Sequence, residues 1–404
     1  MVSYRCLQWL LCFSGFLDLL GVSMIFPLLI HRAQDLGASP SQIGLFGSIY
    51  GSLQFFASPL MGQVSDHVGR RNVAVVAMVG TAMSYFLLGQ ATTIIMLCVA
   101  RIPSGLFKFS QSMSRTLLAD MAPPSETAAV IGSFNSMSSF GFIVGPALAG
   151  ILMSLDNGFR IVATLSAAIF LLNAVLVYCF VPSTSSTQAK KQEDVKTTSS
   201  VSNFSPLSIF KDVSLIPWRL VWQPFLIKFL LALAILVFRS NWTSILLHRF
   251  AVDARTNGFI MSFNGVMSTF GSAMVRWVSP WFRSNDTLHN TFSVVLVLSL
   301  LLITLAPTLT VVLVGIVPFC FSSSVLRVTN SVSTYSKGGS EVRGLMVGLS
   351  DTFTALSRSL APVIAGFAQE ASLYGPGLFG TFFAFLATCV GFIGVSEEIK
   401  MHAE

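Results

Sequence analysis

Runs of about twenty apolar residues recur from one end of this chain to the other, each long enough to cross roughly 30 Å of hydrocarbon as a helix. Nothing constrains the fold more. Inside a bilayer every backbone N–H and C=O must find a partner within the protein, so only helices and closed barrels span it. These runs lack the apolar–polar alternation of barrel strands, which leaves helices. Charged residues make up 10% of the 404 and hydrophobic ones 53%, with a mean hydropathy of +0.75. A soluble domain carries about 25% charged residues. The composition therefore describes an all-α membrane protein. The first run is not read as a cleaved leader, because Asp18 interrupts its apolar stretch and no small-residue cleavage pattern follows.

About twelve spans are expected, at roughly 7–30, 42–62, 72–90, 93–117, 128–153, 159–181, 222–247, 257–279, 288–306, 309–332, 344–367 and 375–395. A polar stretch rich in Ser, Thr and Lys separates the sixth from the seventh and reads as a flexible linker. The expected organisation is a six-helix bundle at about 1–182, a linker at 183–220, a second bundle at 221–396 and a tail at 397–404. The halves also repeat. Gly145-Pro146-Ala147-Leu148-Ala149-Gly150 aligns with Ala361-Pro362-Val363-Ile364-Ala365-Gly366 at an offset of 362 − 146 = 216, and Gly44 and Gly51 align with Gly258 and Gly265 at 258 − 44 = 214. Parallel repeats of this kind are a transporter signature, with the cargo site expected where the halves meet.

Lys and Arg placement sets an expected orientation. With the N-terminus inside, Arg5, Arg70, Arg71, Lys190, Lys191, Lys196, Lys211, Arg219, Arg276, Arg283, Lys337, Arg343 and Lys400 fall on the cytoplasmic side. Only Arg32, Arg160, Arg249 and Arg255 fall opposite, a bias of about three to one that puts both termini in the cytoplasm. The net charge of +7 is thus a topology signal, and no nucleic acid is expected. Sequons headed by Asn203 and Asn285 are placed in the cytoplasm, and Asn241 heads a third within a span. The six cysteines sit in or beside apolar runs and the histidines are scattered, so neither metal nor cofactor is expected. No phosphate-cradling Gly-rich Lys loop is present for a nucleotide, and no constellation for catalysis, so the chain is not read as an enzyme or an ATP-driven pump.

After span two comes "GQVSDHVGRR", Gly62 to Arg71, a Gly-x-x-x-Asp-x-x-Gly-Arg-Arg pattern in which Gly62 and Gly69 permit a tight turn and Asp66 and Arg70 supply opposite charges. Here the chain resembles the major facilitator superfamily. The resemblance implies a latch: Asp66 against the N-terminal end of the eleventh helix near Arg343, and Arg70 against Asp120, with Arg71 beside it. A carboxylate at a helix N-terminus is worth about 0.3–1 kcal/mol, small enough to break on each cycle. At the equivalent place in the second half Arg276, Pro280 and Arg283 stand instead, so control of the cytoplasmic side is expected to rest on the first copy.

Span four carries "ARIPSGLFKFS", whose Arg101 and Gly105 match the family's Arg-x-x-x-Gly motif. Arg101 lies roughly 12 Å inside the outer boundary at about 1.5 Å per residue, and its permanent charge needs a partner. The resemblance implies a part in proton handling; a structural arginine held by carbonyls is the alternative. Lys108 and Arg115 lie nearer the cytoplasmic end and can snorkel, with Lys108 also a cavity-lining candidate. Span five carries "GFIVGPALAG", in which Gly141, Gly145, Pro146 and Gly150 match a motif associated in the family with antiporters; Ala149 departs from it, and plain helix packing is the alternative. The first helix, with Asp18 and Pro27, and span two, with Tyr50, Gln54 and Pro59, are similar to tetracycline-type proton antiporters of the drug:H+ group and to eukaryotic major facilitator domain-containing orphan transporters. Thr127 stands where the family usually has Arg.

A mid-membrane Asp costs roughly 3 kcal/mol on insertion scales, and such residues are functional by default. Asp18 is accordingly the lead candidate for proton or substrate binding, against a polar contact with Gln54 or another partner. Asp351 is the second intramembrane carboxylate, two turns from Arg358, with Arg239 and Arg327 as further buried cations. These are read as an ion-pair cluster, a proton relay or an anion site. The resulting expectation is a major facilitator fold of two pseudo-symmetric bundles: a monomeric secondary transporter in the lipid bilayer that exchanges protons for a small organic molecule. A symporter or uniporter, and a non-transporting receptor or scaffold on the same fold, are the alternatives.

Overall fold

The computed structural model describes residues 4–123, 126–182, 218–337 and 343–403, and among them it is helical with no strand. The first half holds α1 (Tyr4–Asp35), α2 (Pro40–Val68), α3 (Arg70–Gly89), α4 (Ile94–Phe107), α5 (Ser110–Met121), α6 (Thr127–Met153) and α7 (Gly158–Phe180). The second holds α8 (Trp218–Ser240), α9 (Trp242–Phe250), α10 (Ala254–Val278), α11 (Asn285–Leu305), α12 (Leu309–Lys337), α13 (Arg343–Ala371) and α14 (Gly375–Ala403). Residues 183–217 of the expected linker lie outside the described residues.

Nine helical stretches among the described residues are long and apolar enough to cross a membrane. The remaining long helices, α2, α10 and α13, each set polar side chains along an otherwise apolar sequence. Two expected spans are interrupted. Span four splits into α4 and α5 at Lys108 and Phe109, and span seven into α8 and α9 at Asn241. Continuous apolar runs gave no sign of either break.

Helix pairing repeats between the halves. In the first, α1 packs on α5, α6 and α7, and α3 on α4, α5 and α7; in the second, α8 packs on α12, α13 and α14, and α11 on α12 and α14. The correspondence α1 to α8, α3 to α11, α6 to α13 and α7 to α14 is the one that the sequence repeat dictates. The chain clusters into two compact units. One comprises Met1–Ala38, Ser52–Ser202 and Val252–Gly265; the other comprises Ser39–Gly51, Asn203–Ala251 and Val266–Glu404. The opening half of α2 therefore counts with the second unit, where Gly44 lies against the Pro362 carbonyl. The opening half of α10 counts with the first, where Gly258 lies against the Pro146 carbonyl, so the repeated glycines meet the repeated prolines.

The core of the first unit includes the fully buried Leu11, Met24, Leu117, Phe134 and Phe170. In the second, Leu233 and Val237 of α8 meet Ala361 and Ala365 of α13. Trp277 in the last turn of α10 and Trp281 in the short turn that follows it are exposed, as suits residues that anchor at a membrane interface.

Candidate functional site

The site in the first unit begins with how α1 is held. On α6, Gly141 and Gly145 face it so closely that a Cβ at Gly141 would strike the Phe16 carbonyl and one at Gly145 would strike Ser23 Oγ. Ser23 Oγ donates to the Gly141 carbonyl at 3.3 Å. On α7, Asn173 Nδ2 donates to the Ser14 carbonyl at 3.1 Å. Small residues that bring backbones together hold most helix pairs in lipid, where no hydrophobic force acts between helices. Two of the motif glycines thus fix the helix that carries Asp18, at positions either side of it.

Asp18 is 1% exposed. Lys108 Nζ donates to its Oδ1 and Ser110 Oγ to its Oδ2, closing an ion pair between residues 90 apart in sequence. Lys108 does not snorkel: its side chain is 9% exposed and its ammonium lies 4.9 Å from the centroid of the Phe170 ring. The pair exists because span four breaks there. Pro103 and Gly105 weaken the end of α4, and Lys108 leaves the helix at ψ 57. In an unbroken helix its carbonyl would bond four residues onward; instead Gln54 Nε2 donates to it at 3.1 Å. Irregular backbone at membrane depth is tolerated only where protein or a wet cavity satisfies it. Ser110 then opens α5, so the carboxylate also sits beside the positive end of that helix.

Bringing two charges out of water costs several kcal/mol per ion, repaid only when further hydrogen bonds complete the site. Ser110 and Phe170 supply that completion.

The latch candidates divide. Arg70 Nη1 donates to Asp120 Oδ2 at 2.6 Å, bringing α3 to the end of α5, and the Arg71 guanidinium lies 4.8 Å from the Tyr178 ring centroid. Gly69 between α2 and α3 has φ 95, a conformation that only glycine adopts freely. Of Gly62 and the Asp66 side chain the structure describes no surroundings. Arg101 is half-buried on α4, and the hydroxyl of Ser104 donates to its carbonyl at 2.8 Å.

In the second unit Arg358 on α13 is exposed, while the side chain of Asp351 lies outside the described residues. Arg239 of α8 is half-buried and Arg327 of α12 is exposed, so of the two expected buried cations Arg327 is not one. Three features went unread in the sequence. Lys228 of α8 donates to Ser350 of α13. At the α8–α9 break, buried Asn241 donates to Gln369 Oε1 at 2.5 Å, and Gln369 Nε2 donates to Ser244 Oγ at 2.6 Å. Asn241 is 1% exposed, so the sequon it heads is sealed in protein. Arg249 donates to the carbonyls of Thr304 and Ala306 at 2.8 and 2.7 Å. Outside the spans, Asp253 opens α10, and its hydrogen bond with Thr256 holds its carboxyl below the usual range. Lys228 could have been found as Asp18 was, as a charge inside an apolar run; Ser110, Asn241 and Gln369 carry no such mark.

No three acidic, His or Cys side chains gather as a metal site among the described residues. A helical membrane fold with an internal repeat, broken spans and an intramembrane ion pair defines a solute transporter rather than an enzyme. The sequence profile of the Major Facilitator Superfamily matches residues 11–362, and the chain belongs to that family. It is 27% identical over 373 residues to mouse solute carrier family 22 member 18, covering 90% of this chain and 89% of that protein. It is 22% identical over 263 residues to the class H tetracycline resistance protein of Pasteurella multocida, covering 64% and 63%. Among solved structures, the human organic anion transporter MFSD10 (TETRAN) shares its fold at a TM-score of 0.67 and 20% identity, over 97% of this chain and 100% of that one.

Proposed function

We propose that this transporter is proton-coupled and carries a small organic molecule by alternating access, with Asp18 taking up and releasing the proton. The observation that carries this reading is a buried carboxylate held by Lys108 and Ser110 at a broken span. Such a group can trade a proton for a neighbouring charge. Arg101 and Asp351 assist the coupling; Gln54, Lys108, Arg239 and Arg358 border the cargo path. The loop from Gly62 to Arg71 latches through Asp66 and the Arg70–Asp120 pair. The transporter works as a monomer in the bilayer, with both termini cytoplasmic and one six-helix bundle either side of the linker. Exchange of cargo for protons is supported by the Gly141–Gly150 motif and by a relative named for tetracycline resistance. Co-transport is the second reading, and the Lys108 partner favours it.

The test is flux of a radiolabelled organic-solute panel into proteoliposomes, with and without a pH gradient, comparing wild type with Asp18→Asn. The reading expects gradient-driven accumulation to fall at least about tenfold in the variant, the size of losing one charge-assisted contact, while gradient-free counterflow continues. Equal gradient-driven accumulation by Asp18→Asn refutes it.

A further inference from the structure

We infer that the turn joining α10 to α11 is a binding site for an anionic phospholipid of the surrounding bilayer, with Arg276 and Arg283 receiving its headgroup beside Trp277 and Trp281. The inference is independent of the readings of proton and cargo, and it concerns a part of the chain that they leave without a role.

The internal repeat shows what this turn has become. At an offset of 276 − 62 = 214, Arg276, Trp277, Pro280, Trp281 and Arg283 stand where the first half has Gly62, Gln63, Asp66, His67 and Gly69. The first loop spends a cation inside the protein, since Arg70 is paired with Asp120. The second has lost the acid of the pattern and gained two arginines and two tryptophans. Nor is there a counterpart to Asp120, because the repeat offsets of 214 and 216 reach Thr334 and Ser336. No carboxylate occurs in the sequence between Asp253 and Asp286. Arg276 and Arg283 are both exposed, and neither is ion-paired among the described residues.

The turn is held in place, so these side chains are presented on a fixed support. Phe282 sits in extended backbone at φ −111 and ψ 141, and its ring lies 6.0 Å from that of Phe292 on α11. Phe292 in turn meets Phe321 of α12 at 5.3 Å. The Phe282 N–H donates to the Ser279 carbonyl at 3.3 Å, and Ser284 Oγ accepts from the Thr287 N–H at 3.1 Å to cap α11. With Phe282 turned in, Trp281 and Arg283 on either side of it are left outward. Trp281 is 81% exposed, more than any other large apolar side chain among the described residues. Along α10 the exposed Val266, Phe270 and Trp277 follow at spacings of four and seven residues, which puts them on one helix face.

An apolar face, then tryptophan, then cations is the order in which a phospholipid presents its chains, its interface and its charged head. Tryptophan settles at headgroup level, and guanidinium matches phosphate with paired hydrogen bonds. A zwitterionic lipid brings its own cation, so only a lipid of net negative charge answers two unpaired arginines. Asp286, half-buried in the first turn of α11, already complements the positive end of that helix, which is therefore not part of the site. Lipid phosphate does for this turn what Asp120 does for Arg70 in the first half.

The test uses the full chain in phosphatidylcholine nanodiscs doped with phosphatidylglycerol (a monoanion) or phosphatidylcholine, each brominated near the headgroup so that it quenches tryptophan fluorescence on contact. Trp9, Trp218 and Trp222 are exposed elsewhere, so the signal of this site is the quenching that Trp277→Phe with Trp281→Phe removes. That part should half-saturate at about 25-fold less phosphatidylglycerol than phosphatidylcholine, about fivefold for each arginine. Arg276→Gln and Arg283→Gln should each lose about fivefold of the preference and the double variant all of it, while lysine at both positions should keep most of it. Equal quenching by the two lipids in the wild type overturns the inference, and so does a preference that survives the double glutamine variant. Displacement of the brominated phosphatidylglycerol by inorganic phosphate at constant ionic strength would give the arginines to a soluble anion and overturn it as well. None of these outcomes bears on the Asp18 reading.

Discussion

Lys108→Gln removes the cation from a carboxylate that is 1% exposed, in a pair whose lysine side chain is itself 9% exposed. Taking away one member of such a buried pair costs about 3–5 kcal/mol, because the other charge is left without compensation. The lost cation–π contact with Phe170 adds about 0.5–2 kcal/mol. Ser110 donates to the other carboxylate oxygen in both proteins and so does not enter the difference. The loss comes to about 3.5–7 kcal/mol, or on the order of 10 °C in the apparent unfolding midpoint of the detergent-solubilised protein. Asp18→Asn combined with Lys108→Gln should recover most of it at neutral pH, because no charge then stays buried. The assay is thermal unfolding followed by size-exclusion. A double variant less stable than Lys108→Gln alone refutes the reasoning.

Ser110→Ala should destabilise by about 1.5–3 kcal/mol in the same assay and shift the pH dependence of cargo binding without abolishing it. Gly145→Ala should cost about 1–3 kcal/mol through its collision with Ser23 Oγ, and Ser23→Ala in the same chain should return part of that; no recovery would mean the two helices are not held there. Arg70→Gln and Asp120→Asn should each change stability by no more than about 1 kcal/mol, since the pair is partly exposed, and the double variant should match either single one. Transport rates of all three should shift together if the pair acts as a latch.

Much of the fold was written in hydropathy, because a bilayer leaves helices as the only continuation of a long apolar run. The repeat was legible at the motif prolines, and the structure carries it into helix pairing. What hydropathy cannot register is a break inside an apolar run. The α4–α5 and α8–α9 junctions change backbone direction without changing composition, so both spans read as continuous. Asp18 stood out because a carboxylate in hydrocarbon is expensive. Its partner did not, since a lysine near a helix end reaches either interface or interior with equal ease, and only the fold brings α1 to the α4–α5 junction. Ser110, Asn241 and Gln369 are ordinary helix residues in sequence; burial alone makes their hydrogen bonds matter. Arg70 and Asp120 were paired through the motif's resemblance, while Asp66 and Asp351 carry side chains beyond those described.

The account depends most on where the proton goes, and infrared difference spectroscopy of the reconstituted protein reads that directly. Acidification should raise the carbonyl stretch of a protonated buried carboxyl in the wild type, and Asp18→Asn should lack it. A band of equal size in Asp18→Asn would place the titrating acid elsewhere and contradict the account.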